Sequence, residues 1–329
     1  MRKIVIFFHR PFSKNCLNLL LQTILSMETI IVTGGTGLIG SHLCKKLKEK
    51  GYNVALLSRN SKSDNDIPVY SWDLDKNMID PEAISTADYI IHLAGAGIGD
   101  KRWTKKRREL ISESRIKTCE LLFKKVQESG TKLKAFISAS GIGYYGAETS
   151  DKIFTETDHP ASDFIGEVCR QWEQSADRFK ETGIRTVKIR TGIVLTRTGG
   201  ALGRMSTAVK MGIGSALGNG RQYIPWIHIE DLCNIYMKAI GDTSITDVYN
   251  GVAPEHITNR EFIRTLARVL NKPFLFPAVP SFAMKLLFGK MAGIILNGSR
   301  VSADKIISAG YHFEFPDLEN ALKNLFQKS

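Results

Sequence analysis

The strongest constraint on the fold is a glycine-rich segment that separates a β-branched run from a helical pattern. Residues 33–40 read Thr-Gly-Gly-Thr-Gly-Leu-Ile-Gly. At this spacing Gly34 permits a tight turn, Gly37 lets the backbone approach a pyrophosphate, and Gly40 lets the helix pack on its strand. The amides at the N-terminus of that helix would face the anion. The pattern therefore predicts a dinucleotide-binding turn, formed by Gly34, Gly35, Thr36, Gly37, Leu38, Ile39 and Gly40.

Strand and helix patterns alternate as far as residue 190, which is typical of a parallel sheet covered by helices on both faces. The predicted strands are 29–33, 53–58, 89–94, 135–139 and 185–190. The predicted helices are 38–50, 104–129 and one from Ser162 or Asp163 to about residue 182. These segments predict an α/β fold with a Rossmann-type, doubly wound parallel sheet. A length of 329 residues with 43% hydrophobic content leaves room for a second, smaller unit.

The character of the chain changes after Thr191. Seven glycines between residues 199 and 220 interrupt short apolar segments, and we expect a loop-rich pocket wall there. Short helices are expected further on, at 259–270, 281–288, 302–309 and 317–326. We therefore expect a Rossmann domain at 28–192, on which 225–252 packs back, and a smaller, mostly helical, substrate-binding C-terminal domain at 193–224 and 253–329.

Residues 1–27 differ from the rest of the chain. They contain four basic residues, no acidic residue and two apolar runs that are shorter than the ~18 residues of a membrane-spanning helix. Two interpretations stay open, a targeting leader and an upstream extension that precedes a natural start at Met27. We exclude this segment from the predicted fold and expect no membrane partner.

The cysteines and histidines predict neither a disulfide framework nor a metal site. The five cysteines are odd in number, widely spaced and never arranged as Cys-x-x-Cys, and none of the seven histidines forms a metal-binding pair. This usage favours a reducing compartment, and we expect a cytoplasmic protein.

The end of the second predicted strand indicates which dinucleotide is bound. A carboxylate at this position usually binds the ribose 2′-hydroxyl of NAD, but here the chain reads Leu57-Ser58-Arg59. A guanidinium and a hydroxyl suit a 2′-phosphate through charge-assisted hydrogen bonds, so we predict NADP(H) as the cofactor. The alternative is that Arg59 is an ordinary surface residue of a loop.

Several separated segments resemble the atypical extended short-chain dehydrogenase/reductases, in the branch labelled sugar-nucleotide epimerases of unknown substrate. The likeness covers about residues 28–327, and a helical tail similar to Gly310–Leu318 occurs in that branch. It is carried by the glycine loop, Leu93-Ala94-Gly95, Lys101–Thr104, Ser114-Arg115, Ser138–Gly146, Arg190–Leu195, Gly218–Gln222 and Trp226–Leu232. The resemblance implies NADP(H) contacts from Ser58, Arg59, Leu93, Ala94, Gly95, Arg115 and Val194.

The resemblance also implies hydride transfer on a hydroxylated small molecule, with a nucleotide sugar as one candidate substrate. A loop similar to Gly218–Gln222 places an arginine near the substrate diphosphate in nucleotide-sugar enzymes, which makes Arg221 the candidate substrate-binding residue. The oligomeric state is left open, with a homodimer among the alternatives.

The family's usual catalytic pair, a Tyr followed four residues later by a Lys, is absent from this chain. None of the nine tyrosines has a Lys at that spacing, and depending on register the two positions become Phe164 and Val168, or Ile165 and Cys169. The remaining candidates for catalysis are Ser140, Tyr144 and Tyr145. The two tyrosines are equally compatible with a pocket lid that stacks on a ligand.

Two further interpretations compete with an NADP-dependent oxidoreductase or epimerase. The missing pair favours a non-catalytic protein that senses NADP(H). The basic segment 101–117 could bind nucleic acid, but it has no interleaved aromatic residue beyond Trp103, and its charges are distributed around a helix. We therefore expect a solvated helix surface and no nucleic-acid partner. His92 and Cys169 are interpreted as packed core residues.

Overall fold

The computed structural model describes residues 27–59, 67–197 and 199–327. Within these ranges the strands are β1 Thr29–Thr33, β2 Asn53–Ser58, β3 Val69–Asp73, β4 Met78–Ile79, β5 Tyr89–His92, β6 Ala135–Gly141, β7 Ile153–Phe154, β8 Thr186–Thr191, β9 Ile193–Leu195, β10 Trp226–His228, β11 Asp247–Gly251 and β12 Arg300–Val301. The helices are α1 Leu38–Glu49, α2 Pro81–Ser85, α3 Lys105–Ser129, α4 Phe164–Glu181, α5 Gly200–Lys210, α6 Ile229–Gly241, α7 Asn259–Val269, α8 Ser281–Phe288, α9 Ala292–Leu296, α10 Asp304–Ser308 and α11 Leu318–Gln327.

Eight of the described strands form one sheet in the order β11-β8-β6-β5-β1-β2-β3-β4. All neighbours in it are parallel except β3 and β4. The strand order reverses between β1 and β5, and ligands of such sheets bind in the crevice outside the carboxyl ends at this reversal. The predicted doubly wound parallel sheet is confirmed.

Helices cover both faces of the sheet because the side chains of a strand alternate between faces. Ile30 and Val32 of β1 join a core cluster with residues of α1 and α6. Ile31 between them joins a second cluster with residues of α2, α3 and α4. Such burial of both faces explains why the central strands read as nearly continuous apolar runs.

The C-terminal part has its own core and is tied to the sheet by short pairings. Leu202, Trp226, Phe262 and Leu322 belong to a third cluster, built from α5, β10, α7 and α11. Two parallel pairs, β9 with β10 and β7 with β12, connect this part to the segments that follow β8 and β6. The carboxyl ends of the large sheet are thus brought close to the loops of the C-terminal part.

One segment of the expected loop-rich region is a helix instead. The glycines at 199, 200 and 203 suggested loops, but Gly200–Lys210 forms α5. Leu202, Ser206 and Val209 lie on its buried face at helical spacing, and Leu202 and Val209 are part of the third core cluster. Their burial outweighs the low helix propensity of glycine, which costs about 1 kcal/mol per residue relative to alanine.

Candidate active site

The glycine loop forms a turn that only glycine fits at two positions. Gly34 follows β1 with a φ of +70°, and its carbonyl accepts a hydrogen bond of 3.0 Å from the Gly37 amide. A Cβ atom at Gly40 would overlap that same carbonyl oxygen. The turn therefore brings the first residues of α1 directly against the end of β1.

The N-terminus of α1 is left without a side-chain cap. Gly37 occupies the N-cap position, where Ser, Thr, Asp or Asn is usual, and it contributes no side-chain hydrogen bond. The first amides of a helix have no carbonyl partner within it and carry the positive end of the helix dipole. Thr36, Gly37 and Leu38 are exposed. This arrangement suits a phosphate group and fits the predicted pyrophosphate site.

The buried hydroxyl of Thr33 connects the end of β5 to the glycine loop by hydrogen bonds. Thr33 Oγ1 accepts hydrogen bonds of 3.2 Å from the amides of Leu93 and Ala94. A Cβ atom at Gly34 would lie only 2.9 Å from the Ala94 nitrogen. The structure therefore places the predicted cofactor residues Leu93 and Ala94 beside the loop, across the reversal of strand order.

His92 is a buried, hydrogen-bonded strand residue. Its Nδ1 lies 2.8 Å from Thr33 Oγ1, and its Nε2 lies 3.2 Å from Thr118 Oγ1. Burial lowers the pKa of His92 to about 4, so the ring is neutral near pH 7. The packing interpretation of His92 is confirmed.

Arg115 on α3 is a buried cation, and no carboxylate among the described residues pairs with it. Its side chain is 6% exposed, and Nη1 donates to the carbonyl oxygens of Ala96 at 3.0 Å and Ile111 at 2.8 Å. Its Nε has no hydrogen-bond partner among the described residues. Burial lowers the pKa of Arg115 to about 10, which leaves the guanidinium charged at pH 7. Arg115 Cζ also lies 5.1 Å from the centroid of the Trp172 ring. A buried charge is usually paired, and a dinucleotide phosphate would supply an anion here.

The other predicted cofactor residues lie around the same crevice. Gly95 abuts the guanidinium of Arg115, because a Cβ atom there would lie 3.0 Å from Arg115 Cζ. Ser58 and the exposed Arg59 lie at the carboxyl end of β2, next to β1. A Cβ atom at Gly200 would lie 3.1 Å from Leu38 Cδ2 and 3.9 Å from the Val194 oxygen. Val194 of β9 is thereby brought to the mouth of the glycine loop.

Two of the three candidate catalytic residues lie inside a buried polar network. Ser140 Oγ donates to Glu173 Oε1 at 2.7 Å. The Tyr145 hydroxyl donates to Asn250 Oδ1 at 2.7 Å and accepts from Arg190 Nη1 at 2.8 Å. Burial raises the pKa of Tyr145 to about 12. These contacts hold both hydroxyls in place but occupy the donor hydrogen of each.

A buried ion pair that sequence reasoning missed forms the centre of this network. Arg190 Nε and Nη2 each lie 2.8 Å from a carboxylate oxygen of Glu173. Burial alone lowers the pKa of Arg190, but the hydrogen bonds and charge of Glu173 outweigh it, and the pKa is raised. Two features of the sequence could have indicated this pair. Glu173 follows Trp172 on the apolar face of α4, and Arg190 lies in an otherwise largely apolar strand.

Tyr144 is the candidate that remains accessible. It is half-buried in the 3-10 turn after β6, and its hydroxyl makes no hydrogen bond to any described residue. Its ring lies against the guanidinium of Arg190, with Arg190 Cζ 3.4 Å from the ring centroid. A cation at this distance is attracted to the face of the ring and fixes its orientation.

The structure also shows where the residues lie that replace the missing Tyr and Lys in each of the two possible registers. Ile165 packs against Gly143 in the turn after β6, and a Cβ atom at Gly141 would lie 3.7 Å from Cys169 Sγ. Phe164 instead packs edge-on against Trp103, with ring centroids 5.3 Å apart. Ile165 and Cys169 therefore face the end of β6. Burial raises the pKa of Cys169 to about 12, as expected of a packed thiol.

Arg221 lies apart from these contacts, in the loop before β10. Its amide donates to Asn219 Oδ1 at 2.9 Å. It lines a groove of about 630 Å³ together with residues of α7, among them Arg260 and Arg264, which sequence reasoning did not single out.

The basic segment that raised the nucleic-acid alternative lies largely on α3. Lys117 pairs with Glu113 at 2.6 Å, and Arg107 pairs with Asp100 at 3.5 Å. In the described ranges, no cluster of His, Cys, Asp and Glu could hold a metal ion, and no helix is long and apolar enough to cross a membrane.

Most of the chain matches the models of known protein families. Residues 30–250 match the model of the NAD dependent epimerase/dehydratase family, and residues 279–325 match a domain of unknown function, DUF1731. An epimerase family protein of Staphylococcus saprophyticus is 35% identical over 303 residues, which cover 91% of this chain and 99% of that protein. A Staphylococcus aureus relative with the same family name is 32% identical over 302 residues, or 92% and 100% of the two chains.

Solved structures of epimerase proteins are also similar to this chain. A human epimerase family protein crystallised with NADPH is 31% identical, with a TM-score of 0.82 over 92% of this chain and 100% of that one. A nucleoside-diphosphate sugar epimerase from Corynebacterium glutamicum is 29% identical, with a TM-score of 0.74 over 94% of this chain and 61% of that one.

Proposed function

The chain belongs to the NAD dependent epimerase/dehydratase family, and on that premise we propose that it is an NADP(H)-dependent oxidoreductase or epimerase. Its substrate would be a hydroxylated small molecule. The observation that carries the proposal is that the uncapped N-terminus of α1 and the buried guanidinium of Arg115, which has no carboxylate partner among the described residues, both lie at the end of the sheet where the strand order reverses. Together they provide two sources of positive potential at the reversal of strand order, where a dinucleotide binds.

Different residues of the crevice would contact different parts of the cofactor. The first amides of α1 and Arg115 would bind the phosphates, while Leu93, Ala94 and Val194 would line the cleft. When bound, a nicotinamide dinucleotide donates a hydride to a substrate carbon or accepts one from it. Small residues at the end of β5 would leave room for its ring.

Selection of NADP(H) over NAD(H) is assigned to Ser58 and Arg59. No carboxylate ends β2 in this chain, and Arg59 is exposed directly after β2, which supports a contact with a 2′-phosphate. The presence of NADPH in the human relative supports this choice. Arg59→Asp should weaken NADPH binding at least about tenfold, because it replaces a charge-assisted hydrogen bond by repulsion.

Tyr144 is proposed to hold or move the proton at the substrate oxygen. Its hydroxyl is free of hydrogen bonds within the described residues, and the contact of Arg190 with the face of its ring holds the ring in place. Ser140 and Tyr145 are proposed to act as positioning residues through Glu173 and Arg190. The substrate is proposed to be nucleotide-linked, as the name of the Corynebacterium relative suggests, with Arg221 near its diphosphate.

A second candidate function is an NADP(H) sensor without turnover. The specific observation in its favour is that Ile165 and Cys169 face the end of β6. Neither supplies a phenol or an ammonium group there, and the pKa of about 12 keeps the Cys169 thiol protonated. Such a protein would bind the dinucleotide and change no substrate.

Titration with NADPH and NADH, followed by turnover assays with hydroxylated compounds and nucleotide sugars, separates the two functions. We expect NADPH binding and a change in nicotinamide absorbance that Tyr144→Phe slows while NADPH affinity is retained. Tyr145→Phe, which removes two buried hydrogen bonds, should instead lower stability. Tight NADPH binding with no conversion would favour the sensor. Failure to bind either dinucleotide would refute both functions.

A further inference from the structure

The C-terminal part carries a cluster of exposed apolar side chains, which we call the apolar patch. It comprises five of the fourteen large hydrophobic side chains that are exposed among the described residues, and all five lie within residues 275–287: Leu275, Phe276, Phe282, Leu286 and Leu287. Single apolar residues scattered over a surface are normal. A cluster of them usually marks a site of interaction with a protein or a membrane.

Helix α8 directs two residues of the apolar patch away from the protein. Met284 is 6% exposed and packs inward, whereas Phe282 and Leu286 are 73% and 79% exposed. Phe282 and Leu286 are four residues apart, so they lie on the same face of the helix, roughly opposite to Met284. A surface helix normally turns its large apolar side chains to the core. Two of those on α8 face the solvent instead.

The position of α8 is fixed by contacts with two other segments. Just before the helix, the Val279 amide donates to the Ala216 carbonyl at 2.8 Å, and the Gly218 amide donates to the Val279 carbonyl at 2.8 Å. Near its end, Arg102 Nη2 donates to the Leu286 carbonyl at 3.3 Å. The exposed side chains are therefore presented by a backbone that is held at both ends of the helix.

The surroundings of the apolar patch are basic. Residues 262–303 include six basic residues and no acidic one. Three of the six, Lys272, Lys285 and Lys290, lie within three residues of a patch residue, are exposed and form no ion pair within the described part of the chain. Arg102, which contacts α8, is a further exposed cation. The patch therefore suits a partner that is both apolar and negatively charged.

These charges favour a bilayer with anionic lipids over another protein. A symmetric dimer would place the patch against its own copy and bring the lysines of the two chains together. A stable protein interface also takes about 20–30 residues on each side, far more than the patch provides. Binding to a membrane surface depends on buried apolar area and on attraction to anionic headgroups, and the patch offers both.

We propose that α8 and the loop before it dock the protein on the surface of a bilayer that contains anionic lipids. Phe282 and Leu286 enter the boundary between headgroups and acyl chains, while Lys285 and Lys290 bind the headgroups. The expectation of no membrane partner rested on the short apolar runs of residues 1–27. Docking at the surface requires no such run, because only one face of the helix enters the lipid. This docking is independent of the proposed reaction.

Sedimentation of the full chain with lipid vesicles tests the docking. The vesicles contain either phosphatidylcholine alone or equal parts of phosphatidylcholine and phosphatidylserine. We expect binding to the anionic vesicles that weakens at high salt. Phe282→Ser/Leu286→Ser should weaken it by about a hundredfold, at about tenfold for each apolar side chain that no longer leaves water. Met78→Ser removes an exposed apolar side chain on β4 and should leave binding unchanged.

The lysines are tested in the same assay. Lys285→Gln/Lys290→Gln should weaken binding to the anionic vesicles by about 25-fold, since each lysine at an anionic surface contributes about fivefold. Lys132→Gln removes an exposed lysine before β6 and should leave binding unchanged. Residues 1–27 are the same in every variant, so the differences report on α8. Equal circular dichroism spectra show that the variants are folded.

Each outcome supports or refutes the docking. Absence of binding to the anionic vesicles, or equal binding to both kinds of vesicle, would overturn it. Retained binding in Phe282→Ser/Leu286→Ser, or equal binding in the double lysine variant and Lys132→Gln, would do the same.

Two further measurements locate the contact. The fluorescence of Phe282→Trp should shift to the blue when anionic vesicles are added, and a shift no larger than that of the unmodified chain would contradict insertion of α8. Analytical ultracentrifugation tests self-association without lipid. Dimers that Phe282→Ser/Leu286→Ser abolishes, together with no vesicle binding, would assign the apolar patch to a second copy and refute docking on a membrane.

Discussion

Glu173→Gln should strongly destabilise the fold, because it removes one partner of a buried ion pair. The side chains of Arg190 and Glu173 are 3% and 7% exposed, and two guanidinium nitrogens each lie 2.8 Å from the carboxylate. Glutamine keeps the shape of the side chain but leaves the charge of Arg190 uncompensated. Loss of one partner from such a pair costs about 3–5 kcal/mol. Ser140 also loses its charged acceptor.

Urea denaturation followed by tryptophan fluorescence measures the change in the free energy of unfolding. In thermal melts the same loss corresponds to a lower Tm, on the order of 10 °C for a chain of this size. Glu167→Gln on the same helix is the matched control. Glu167 is 44% exposed and pairs with Arg170 at the surface, so its loss should cost about 1 kcal/mol or less. If the two variants lose equal stability, the buried pair does not stabilise the fold and our account of the network is wrong.

Three further perturbations test other parts of the structure. Gly40→Ala would overlap the Gly34 carbonyl, so we expect NADPH affinity, measured by calorimetry, to fall at least about tenfold. Tyr311→Phe removes a hydrogen bond of 2.7 Å to the buried Asp231 and should cost about 1–3 kcal/mol in urea denaturation. The folded chain keeps His92 neutral down to pH about 4, whereas the unfolded chain takes up the proton near 6.5. The contribution of His92 to the free energy of unfolding, on the order of 3 kcal/mol, should therefore be lost as the pH falls from about 6.5 to about 4. Denaturation curves recorded at a series of pH values measure this loss. In the His92→Gln variant the stability should depend less on pH.

Two of these perturbations have a control within the chain. Gly203→Ala adds a Cβ atom in open space on α5 and should leave cofactor affinity unchanged. If it weakens NADPH binding as much as Gly40→Ala does, the close packing at the glycine loop is not the cause. His312 is exposed, and replacing it with Gln should leave the acid dependence of stability intact. Unchanged stability of Tyr311→Phe would show that the hydrogen bond from Tyr311 to Asp231 does not stabilise the fold.

The sequence determined the features that depend on a few neighbouring residues. The glycine loop could be predicted because a positive φ and the lack of a Cβ atom are local requirements that only certain residues satisfy. The alternation of strands and helices could be predicted because both hydrophobic periods are short. The end of β2 at Ser58 and the ends of α8 at Ser281 and Phe288 agree with the predicted bounds.

Tertiary structure alone decided which polar side chains are buried and with which partners. Ser140, Glu173 and Arg190 are separated by 33 and 17 residues, and no local pattern indicates that they meet. Arg115 is one of many cations on a basic helix, and only the packing of α3 against the sheet makes it a buried charge. Whether a charged or hydroxyl group stabilises the fold depends on its solvation and on its partner. Both are determined by parts of the chain that are distant in sequence.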